Sequence, residues 1–197
     1  MSDDIFSFRT SIQQQDDKLF SEQEVTSLLG GSETVAYKSD SQVFCIEEPN
    51  EKVYYLHKGR VKVFVVRPNG KTLTTAYIDG PSFLGAVNML GTDVMVNSCM
   101  TVTDCRISSC SRESFLERAR ANGLMEKICT IVIGAYKHVY ETLTAIIMEE
   151  RIDLVDMLYN RHGLTQQETA DMIGCSREHV ARLCRQLMIK TDEKCND

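Results

Sequence analysis

The sequence predicts an α+β protein, in which an antiparallel β-sandwich or barrel is followed by a long helix and a C-terminal helix-turn-helix. Apolar residues recur at every second position in short runs over residues 34–109, which is typical of half-buried strands. Over residues 125–146 they recur at alternating intervals of four and three, which is typical of a helix with an apolar seam. Within residues 164–183, helix caps and a turn glycine separate two short amphipathic helices.

The N-terminal part is expected to form a loose arm and one helix. Residues 1–16 are polar and lack apolar periodicity, which is typical of a flexible terminus. Residues 17–29 have helical spacing, and Gly30-Gly31 directly after them suits the positive φ at which many helices end. The side chains that we expect to face the core are Phe20, Val25, Leu28 and Leu29.

The predicted strands are separated by turn signals. Asn69-Gly70 lies between two apolar runs, and this dipeptide is a strong short signal for a β-hairpin. Further turns are indicated at Pro49-Asn50, Lys58-Gly59 and Asp79-Gly80-Pro81. The apolar side chains that mark half-buried strand positions are Val35, Tyr37, Val43, Cys45, Val53, Tyr55, Val61, Val63, Val65, Leu73, Tyr77, Val102 and Ile107. Many short strands with regular turns favour a sandwich or barrel.

Helices are expected to follow the strands. Residues 111–121 predict a first helix, which Asn122-Gly123 ends. The seam of the next helix consists of Met125, Cys129, Val132, Tyr136, Val139, Leu143 and Ile146. Because a seam of this length needs a partner helix, we expect it to pack against a second helix; the alternative is packing on its own domain alone. A shorter helix is predicted from Arg151 onward, with Ile152, Val155, Leu158 and Tyr159 facing inward.

The helix-turn-helix is the most specific local pattern in the chain. Thr165 and Glu168 match the T-x-x-E capping box at a helix start. Gly174 suits the tight turn, and Ser176 suits the N-cap of the second helix. The inward side chains are Ala170, Met172, Ile173, Val180 and Leu183. These offsets favour two crossing helices over an ordinary helical hairpin with a solvated charged face.

The outward face of the second helix carries Arg177, Glu178 and Arg182. Arg can donate two hydrogen bonds to guanine O6 and N7, and Glu can accept one from cytosine N4 in the major groove. A carboxylate repels phosphate, so its place between two arginines favours recognition of bases over binding of the backbone. On a helix of about 100° per residue these side chains lie close together and can reach successive base edges.

The segment Gly-Cys-Ser-Arg-Glu-His-Val-Ala-Arg-Leu at residues 174–183 resembles the recognition helix of the CRP/FNR (catabolite activator) family of bacterial transcription regulators. The resemblance implies that Arg177 and Arg182 contact guanines and Glu178 a cytosine of TGTGA-like half-sites in a palindrome. It also implies double-stranded DNA, a second copy of the chain and RNA polymerase as partners. The residues expected at the DNA are Thr165, Ser176, Arg177, Glu178, His179 and Arg182.

A second resemblance lies in the β segment. Val-Tyr-Tyr-Leu-His-Lys-Gly-Arg-Val-Lys-Val at residues 53–63, Asn-Gly-Lys at 69–71 and Phe-Leu-Gly at 83–85 resemble the cyclic-nucleotide-binding β-roll of the same family. The resemblance as a whole covers roughly residues 20–187. It implies a cyclic-nucleotide-binding-type β-roll of jelly-roll topology, a long dimerisation helix and a C-terminal helix-turn-helix. The family's C-terminal β-wing is expected to be absent, because few residues follow Leu187.

The effector pocket departs from the family pattern at two positions. In nucleotide-binding members, Phe-x-Gly is followed by a Glu that holds the ribose, and an Arg-Ser pair further on holds the cyclic phosphate. Here Ala86 follows Gly85, and the later pair is Asn97-Ser98. Because the ribose acceptor and the bidentate partner of the phosphate are both lost, we expect an unidentified small-molecule effector other than cyclic AMP. The residues expected at this effector are Phe83, Gly85, Ala86, Val87, Asn97, Ser98, Tyr136 and Tyr140.

Composition argues against several classes of protein. The net charge is −6, from 28 acidic and 22 basic residues, which disfavours diffuse nucleic-acid binding but allows a local basic face. The sequence has neither a signal peptide nor an apolar run of about 18 residues, so a cytoplasmic protein without membrane contact is expected. The eight cysteines include no C-x-x-C pair and are expected to be reduced thiols, with redox sensing as the alternative.

Histidine positions argue against an enzyme. A cupin-type metal site needs His and carboxylate ligands close together on strands, and the β segment has a single histidine, His57. The others are His138, His162 and His179. Because the four do not cluster in the sequence, neither a metal nor haem is expected.

Four segments are predicted: a flexible arm at residues 1–16, an effector-sensing β-roll at 17–111, helices that include the dimerisation helix at 112–150, and the DNA-binding helix-turn-helix at 151–197. The expected function is a homodimeric, sequence-specific DNA-binding transcription regulator that a small-molecule effector switches. The alternative is a ligand-binding or redox-sensing β-roll protein in which DNA binding is weakened or lost.

Overall fold

A computed structural model gives the structure of residues 19–66 and 70–194. The predicted arm at residues 1–16, the start of the predicted helix 17–29 and the turn residues 67–69 lie outside the described residues. The strands are β1 (Thr34–Tyr37), β2 (Gln42–Phe44), β3 (Lys52–Lys58), β4 (Arg60–Val66), β5 (Thr72–Asp79), β6 (Ser82–Leu84), β7 (Ser98–Thr101) and β8 (Cys105–Ser111). The helices are α1 (Glu22–Leu29), α2 (Arg112–Ala121), α3 (Met125–Met148), α4 (Arg151–Val155), α5 (Gln166–Ile173) and α6 (Arg177–Lys194), with a 3₁₀ turn at Ala86–Asn88 and a π-helical turn at Asp156–Arg161.

The strands form two four-stranded antiparallel sheets, ordered β1-β8-β3-β6 and β2-β7-β4-β5. The buried side chains between them are Phe44, Leu56, Val61, Val63, Ala76, Ile78, Leu84, Met95, Cys99, Cys105 and Ile107. This arrangement confirms the predicted β-roll. The strands β4 and β5 pair with each other, from Arg60 opposite Asp79 at one end to Val66 opposite Thr72 at the other. This pairing confirms the predicted hairpin around Asn69-Gly70.

One predicted core position in the β-roll is wrong. The alternating pattern predicts that Val35 is half-buried, but its side chain is 52% exposed. Val35 lies on β1, the edge strand of its sheet, where Thr34 and Ala36 are exposed too. Alternation of apolar residues shows which side chains share a face of a strand. It does not show how much of that face is covered by another layer.

The helix α1 packs against the β-roll residues Val53 and Phe83. The hydroxyl of Ser21 accepts a hydrogen bond from the N–H of Glu24 at 3.3 Å, and the Glu24 carboxylate accepts one from the N–H of Ser21 at 2.8 Å. Gly30 ends the helix with φ 62°. The predicted inward side chains Phe20, Val25, Leu28 and Leu29 are buried, and they pack in one cluster with residues of α2 and the first half of α3.

The long helix α3 has two apolar stripes rather than one. The stripe that faces the protein's own core consists of Ile128, Ile131, Ala135, His138, Thr142 and Ala145. The second stripe, which we call the outer stripe, consists of Ile133, Tyr136, Tyr140, Leu143 and Ile147 and is 41% to 79% exposed. Each advances by alternating steps of three and four residues, so each has the spacing of a helix-packing seam.

The predicted seam of α3 is therefore partly wrong. It shares Tyr136 and Leu143 with the outer stripe, but it also contains Val132, which is 7% exposed and packs in the core of its own chain. The outer stripe has Ile133 and Tyr140 in place of Val132 and Val139. Because α3 is apolar around most of its circumference, more than one register satisfies the same periodicity.

The C-terminal helices have the predicted helix-turn-helix arrangement. The Thr165 hydroxyl accepts from the N–H of Glu168 at 3.2 Å, the Glu168 carboxylate accepts from the N–H of Thr165 at 2.8 Å, and Gly174 has φ 69°. The predicted inward side chains Ala170, Met172, Ile173, Val180 and Leu183 are all buried. Within the described residues the chain after Leu187 stays helical to Lys194. None of the described helices is both long and apolar enough to cross a membrane.

Candidate DNA-binding face and ligand pocket

The start of α6 is held in place by its cap and its buried inner side. Gly174 closes α5 in the left-handed region, and the Ser176 hydroxyl accepts a hydrogen bond from the N–H of His179 at 3.2 Å. Val180 and Leu183 are 0% and 9% exposed and pack in one cluster with residues of α4 and α5. The outer side of α6 therefore has a defined orientation relative to α5.

Three charged side chains project from this outer side. Arg177, Glu178 and Arg182 are all exposed. Hydrogen bonds from its own backbone N–H and from the Ser176 hydroxyl lower the pKa of Glu178, so its carboxylate is ionised at neutral pH. The guanidinium of Arg182 donates to Nδ1 of His179 across 2.9 Å. The surface thus presents two guanidinium donors on either side of one carboxylate acceptor.

Two further side chains of α6 belong to this surface. His179, which is predicted to face DNA, is partly buried and supports the guanidinium of Arg182. Arg185 is exposed and lies three residues after Arg182, which places both on the same side of the helix. The family motif does not include Arg185, although its helical spacing from Arg182 could have identified it.

The hydroxyl residues of the predicted DNA-binding set lie at helix N-termini. Thr165 caps α5 and Ser176 caps α6, and both side chains are exposed. The first N–H groups of a helix lack partners within the helix and carry partial positive charge, which favours an anion such as a phosphate. The outer side of α6 is therefore bordered by two positions that suit the DNA backbone.

A pocket lies between the β-roll and α3. Its lining residues are Val63, Thr75, Ala76, Ile78, Phe83, Gly85, Ala86, Val87, Asn97, Ala135, His138 and Val139. The cavity volume is about 40 Å³, which is small beside the roughly 300–1,000 Å³ of a site for a drug-sized ligand. None of these lining residues is an Asp, Glu, Lys or Arg, so they offer a phosphate no charged partner.

The pocket brings together most of the predicted effector residues, namely Phe83, Gly85, Ala86, Val87 and Asn97. Ser98 is buried beside it, and its hydroxyl accepts a hydrogen bond from the N–H of Ile46 at 2.9 Å. The Tyr136 hydroxyl donates to the Val87 carbonyl at 3.3 Å, while half of its side chain is exposed. Tyr140 is 71% exposed on the outer stripe and does not line the pocket of its own chain.

Asn97 is held by a buried network of amides. Its Oδ1 accepts a hydrogen bond from Nδ2 of Asn88 at 3.1 Å, and Oδ1 of Asn88 accepts one from the N–H of Val96 at 2.9 Å. Nδ2 of Asn50 donates to the Asn88 carbonyl. Gly85 has φ 67°, and a Cβ there would lie 3.3 Å from Nδ2 of Asn88. Asn97 is therefore a fixed, neutral part of the pocket wall, and glycine suits the backbone in front of it.

Sequence reasoning did not place His138 and Thr75 in the pocket. His138 is 7% exposed, and burial lowers its pKa, an effect that a hydrogen bond with the backbone of Thr75 partly offsets. The imidazole is therefore neutral at pH 7. The sequence signal that could have placed His138 in the pocket is its helical spacing from Ile131 and Ala135 on α3. Other apolar residues of α3 have the same spacing, so this stripe can be recognised as the inner one only when the helix is packed against the β-roll.

Stability is expected to fall on acidification below about pH 6.5, because His138 is neutral in the folded protein. Burial holds its folded pKa below the ordinary value of 6.5, so the unfolded chain takes up a proton first as the pH falls. This contribution is present above the unfolded pKa and is lost as the pH falls towards the folded pKa. His138→Gln should flatten the pH dependence of the urea midpoint in this window.

His57→Gln is the matched comparison for this prediction. Burial lowers the pKa of His57 as well, but its side chain is exposed, so its effect on the profile should be smaller. A His138→Gln profile parallel to that of the wild type would show that His138 has the same pKa in the folded and unfolded chains.

The described cysteines are free thiols that are all partly or fully buried. The cysteines at 45, 99, 105, 110, 129, 175 and 184 are free thiols, while Cys195 lies outside the described residues. Burial raises the pKa of Cys45, Cys99, Cys105, Cys110, Cys175 and Cys184. Such thiols react slowly, because the thiolate is the reactive form. Residues 19–66 and 70–194 contain no group of three or more His, Cys, Asp and Glu arranged to hold a metal ion.

Comparisons with known proteins match both the β-roll and the C-terminal helices. Residues 34–122 match the family described as the cyclic nucleotide-binding domain. A similar protein in sequence is the cAMP-activated global transcriptional regulator CRP of Pasteurella multocida. It is 25% identical over an alignment of 168 positions, and the match covers 77% of this chain and 80% of that protein. That relative is named as a transcription regulator rather than as an enzyme.

Solved structures share the fold at low identity. The c-di-GMP responsive global regulator CLP of Xanthomonas campestris has a TM-score of 0.72 at 18% identity, covering 87% of this chain and 93% of that one. A CooA mutant from Carboxydothermus hydrogenoformans has a TM-score of 0.70 at 14% identity, covering 87% and 85%. The arrangement of β-roll, long helix and C-terminal helices is therefore one that these proteins have in common.

Proposed function

We propose that this chain is a homodimeric, sequence-specific DNA-binding transcription regulator. In support, its β-roll matches the cyclic nucleotide-binding domain, and CRP/FNR-type regulators are among its relatives and structural neighbours. The observation that carries the proposal is the exposed set Arg177, Glu178 and Arg182 on a helix with a capped start and a buried inner side. Two guanidinium groups around one carboxylate suit guanine and cytosine edges in the major groove, whereas a phosphate backbone would repel the carboxylate.

The outer stripe of α3 supports a homodimer. Its five apolar side chains are 41% to 79% exposed, although they follow the spacing of a helix-packing seam. Contiguous exposed apolar surface of this kind marks an interaction site. A second copy of the same helix is the partner that we propose, because a two-fold axis places the same stripe on both sides of one interface. Two recognition helices related by that axis fit a palindromic DNA site.

The effector that we propose is a small molecule other than cyclic AMP. Ala86 and Asn97 stand where the resemblance implies a ribose-binding Glu and a phosphate-binding Arg, and the pocket has no charged lining residue to replace them. The cavity of about 40 Å³ is closed on one side by Ala135, His138 and Val139 of α3. We propose that a larger molecule bound there displaces α3 from the β-roll. Because α3 also carries the outer stripe, such a molecule would shift the balance between two dimer geometries.

Cyclic AMP is expected not to bind at micromolar concentration, because its phosphate would enter a neutral, largely apolar pocket without a partner. Isothermal titration calorimetry of the purified protein with cyclic AMP should show no saturable heat in that range. The CRP of Pasteurella multocida, a cAMP-activated regulator, is the positive control under the same buffer conditions. A micromolar dissociation constant for this chain would contradict the proposed change of effector.

A selection from random double-stranded DNA tests the proposed function. The expected result is enrichment of a palindrome with TGTGA-like half-sites whose centres lie about 34 Å apart, one turn of the double helix. Absence of an enriched palindrome would favour the alternative, a ligand-binding or redox-sensing β-roll protein with weakened or no DNA binding. An RNA polymerase partner and a cytoplasmic location stay predictions.

A further inference from the structure

The helix-turn-helix is attached to the β-roll of its own chain by a polar contact, which we call the clasp. The hydroxyl of Tyr77 on β5 donates to Oδ2 of Asp171 on α5 at 3.1 Å. The guanidinium of Arg60 on β4 forms ion pairs with Oε1 of Glu168 at 3.2 Å and with Oδ1 of Asp79 at 3.5 Å. The clasp therefore consists of Arg60, Tyr77 and Asp79 of the β-roll and Glu168 and Asp171 of α5.

Much of the clasp is shielded from water. Glu168 is only 8% exposed, and its second carboxylate oxygen is the one that accepts the hydrogen bond from the N–H of Thr165. The Arg60 guanidinium lies 5.3 Å from the centre of the Tyr77 ring, and that ring packs against the apolar core of the helix-turn-helix. Burial, and secondly Asp171, raises the pKa of Tyr77, so its hydroxyl stays protonated as the donor. Removing Arg60 would leave the Glu168 carboxylate buried without its cation.

The strand β5 takes part in the pocket and in the clasp at once. Ala76 and Ile78 line the pocket between the β-roll and α3. Tyr77 stands between them in the sequence and, because successive side chains of a strand point to opposite faces, it reaches the helix-turn-helix on the other side. Arg60 pairs across the sheet with Asp79, one residue beyond Ile78. Ala76, Tyr77 and Ile78 are thus consecutive residues of one strand, with the pocket on one face and the clasp on the other.

We propose that Arg60 and Tyr77 are positioning residues, which fix the helix-turn-helix on β5 and transmit a shift of the pocket wall to α5 within one subunit. This inference rests on the proposed DNA-binding function and adds a route of regulation that does not pass through the dimer interface. Arg177, Glu178 and Arg182 stay exposed while the clasp is formed, so the clasp holds the recognition helix in a pose that can meet DNA.

Arg60→Met and Tyr77→Phe test the positioning role in the full-length chain. Hydrogen exchange measured by mass spectrometry should be faster in the peptide that contains residues 166–173, because each variant opens the contact that protects α5. Affinity for the selected palindrome should fall about three- to ten-fold in Tyr77→Phe, the factor expected for one lost hydrogen bond. It should fall further in Arg60→Met, which also leaves the buried Glu168 carboxylate without its cation. Lys127→Met, which removes the half-buried Lys127–Glu24 pair at 2.7 Å between α3 and α1, is the matched control and should change neither quantity.

The salt dependence of binding distinguishes positioning from direct contact. If Arg60 acts through the clasp, the slope of log affinity against log salt stays as in the wild type, and preference among bases is unchanged. A slope reduced by about one would make Arg60 a phosphate contact and would overturn the proposal. Unchanged hydrogen exchange at α5, or a rise in affinity, would overturn it too. If the selection yields no palindrome, the proposed function fails, but the exchange measurement still tests the clasp.

Ile78→Val tests the transmission from pocket to clasp. This change removes one methylene group from the pocket side of β5, which cores usually tolerate. It is expected to alter hydrogen exchange at residues 166–173 in the wild-type background and to have a smaller effect in the Tyr77→Phe background. Additive effects of the two changes would show that Tyr77 does not carry the coupling.

Discussion

Arg182→Ala is expected to weaken binding to the selected palindrome by about 1–3 kcal/mol and to relax selection at one base pair of each half-site. The guanidinium is exposed at the outer side of α6 and is held by Nδ1 of His179 at 2.9 Å, so it is already ordered before DNA arrives. Alanine removes both donors of a bidentate contact with guanine. The measurement is the affinity for the palindrome and for each single-base variant at one fixed salt concentration.

Glu178→Ala is expected to behave differently, which makes it a companion test of base reading. Loss of the carboxylate reduces repulsion of phosphates, so non-specific affinity should rise while discrimination at the cytosine falls. For Arg182→Ala, the control for loss of a positive charge is Arg161→Ala. Arg161 is an exposed residue of the π-helical turn and pairs with Asp156 at 3.1 Å. If Arg182→Ala and Glu178→Ala weaken every sequence equally, these side chains contact the backbone or support the fold, and the base-reading proposal fails.

Leu143→Asp is expected to convert the dimer to monomer at micromolar protein concentration. Leu143 lies on the outer stripe and is 41% exposed in a single chain, so the aspartate remains hydrated in the monomer. In the proposed dimer two aspartates would face each other across a two-fold axis in an apolar seam, which costs several kcal/mol. Sedimentation-velocity ultracentrifugation of the variant gives the mass directly.

Val35→Asp is the matched control for the dimer experiment. Val35 is an exposed apolar side chain, at 52%, on the edge strand β1, away from the outer stripe. The same change of side chain there should leave the dimer intact. A full dimer for Leu143→Asp together with normal circular dichroism would mean that the chains associate through another surface.

The helix-turn-helix could be predicted in detail because its signals are local. Thr165 and Glu168 form the capping box that their spacing indicates, Gly174 has the positive φ that its place after an amphipathic run suggests, and Ser176 caps α6. Each of these interactions joins residues that are close in the sequence. Their geometry therefore depends little on how the rest of the chain folds.

The pocket could be predicted only in part, for the opposite reason. The pocket-lining residues Phe83, Gly85, Ala86, Val87 and Asn97 lie in the segments that carry the resemblance. Thr75 and His138 come from β5 and α3, which meet only when the helix docks on the sheet. From the sequence alone, a histidine on a helix cannot be assigned to the core or to the surface. In the structure His138 is buried, and this burial lowers its pKa and keeps it neutral.

Short-range patterns in the sequence by itself determined the hairpin between β4 and β5 and the caps of the C-terminal helices. That Ala86 and Asn97 stand in place of ribose and phosphate partners stays a prediction from the resemblance. Only the tertiary structure decided which side of α3 faces the β-roll, and hence that Val132 is buried while Ile133 and Tyr140 are exposed. It also decided that α5 rests on Tyr77. The physical reason is that α3 is apolar on several sides, so periodicity allows more than one register, and burial is settled only when all neighbouring layers pack together.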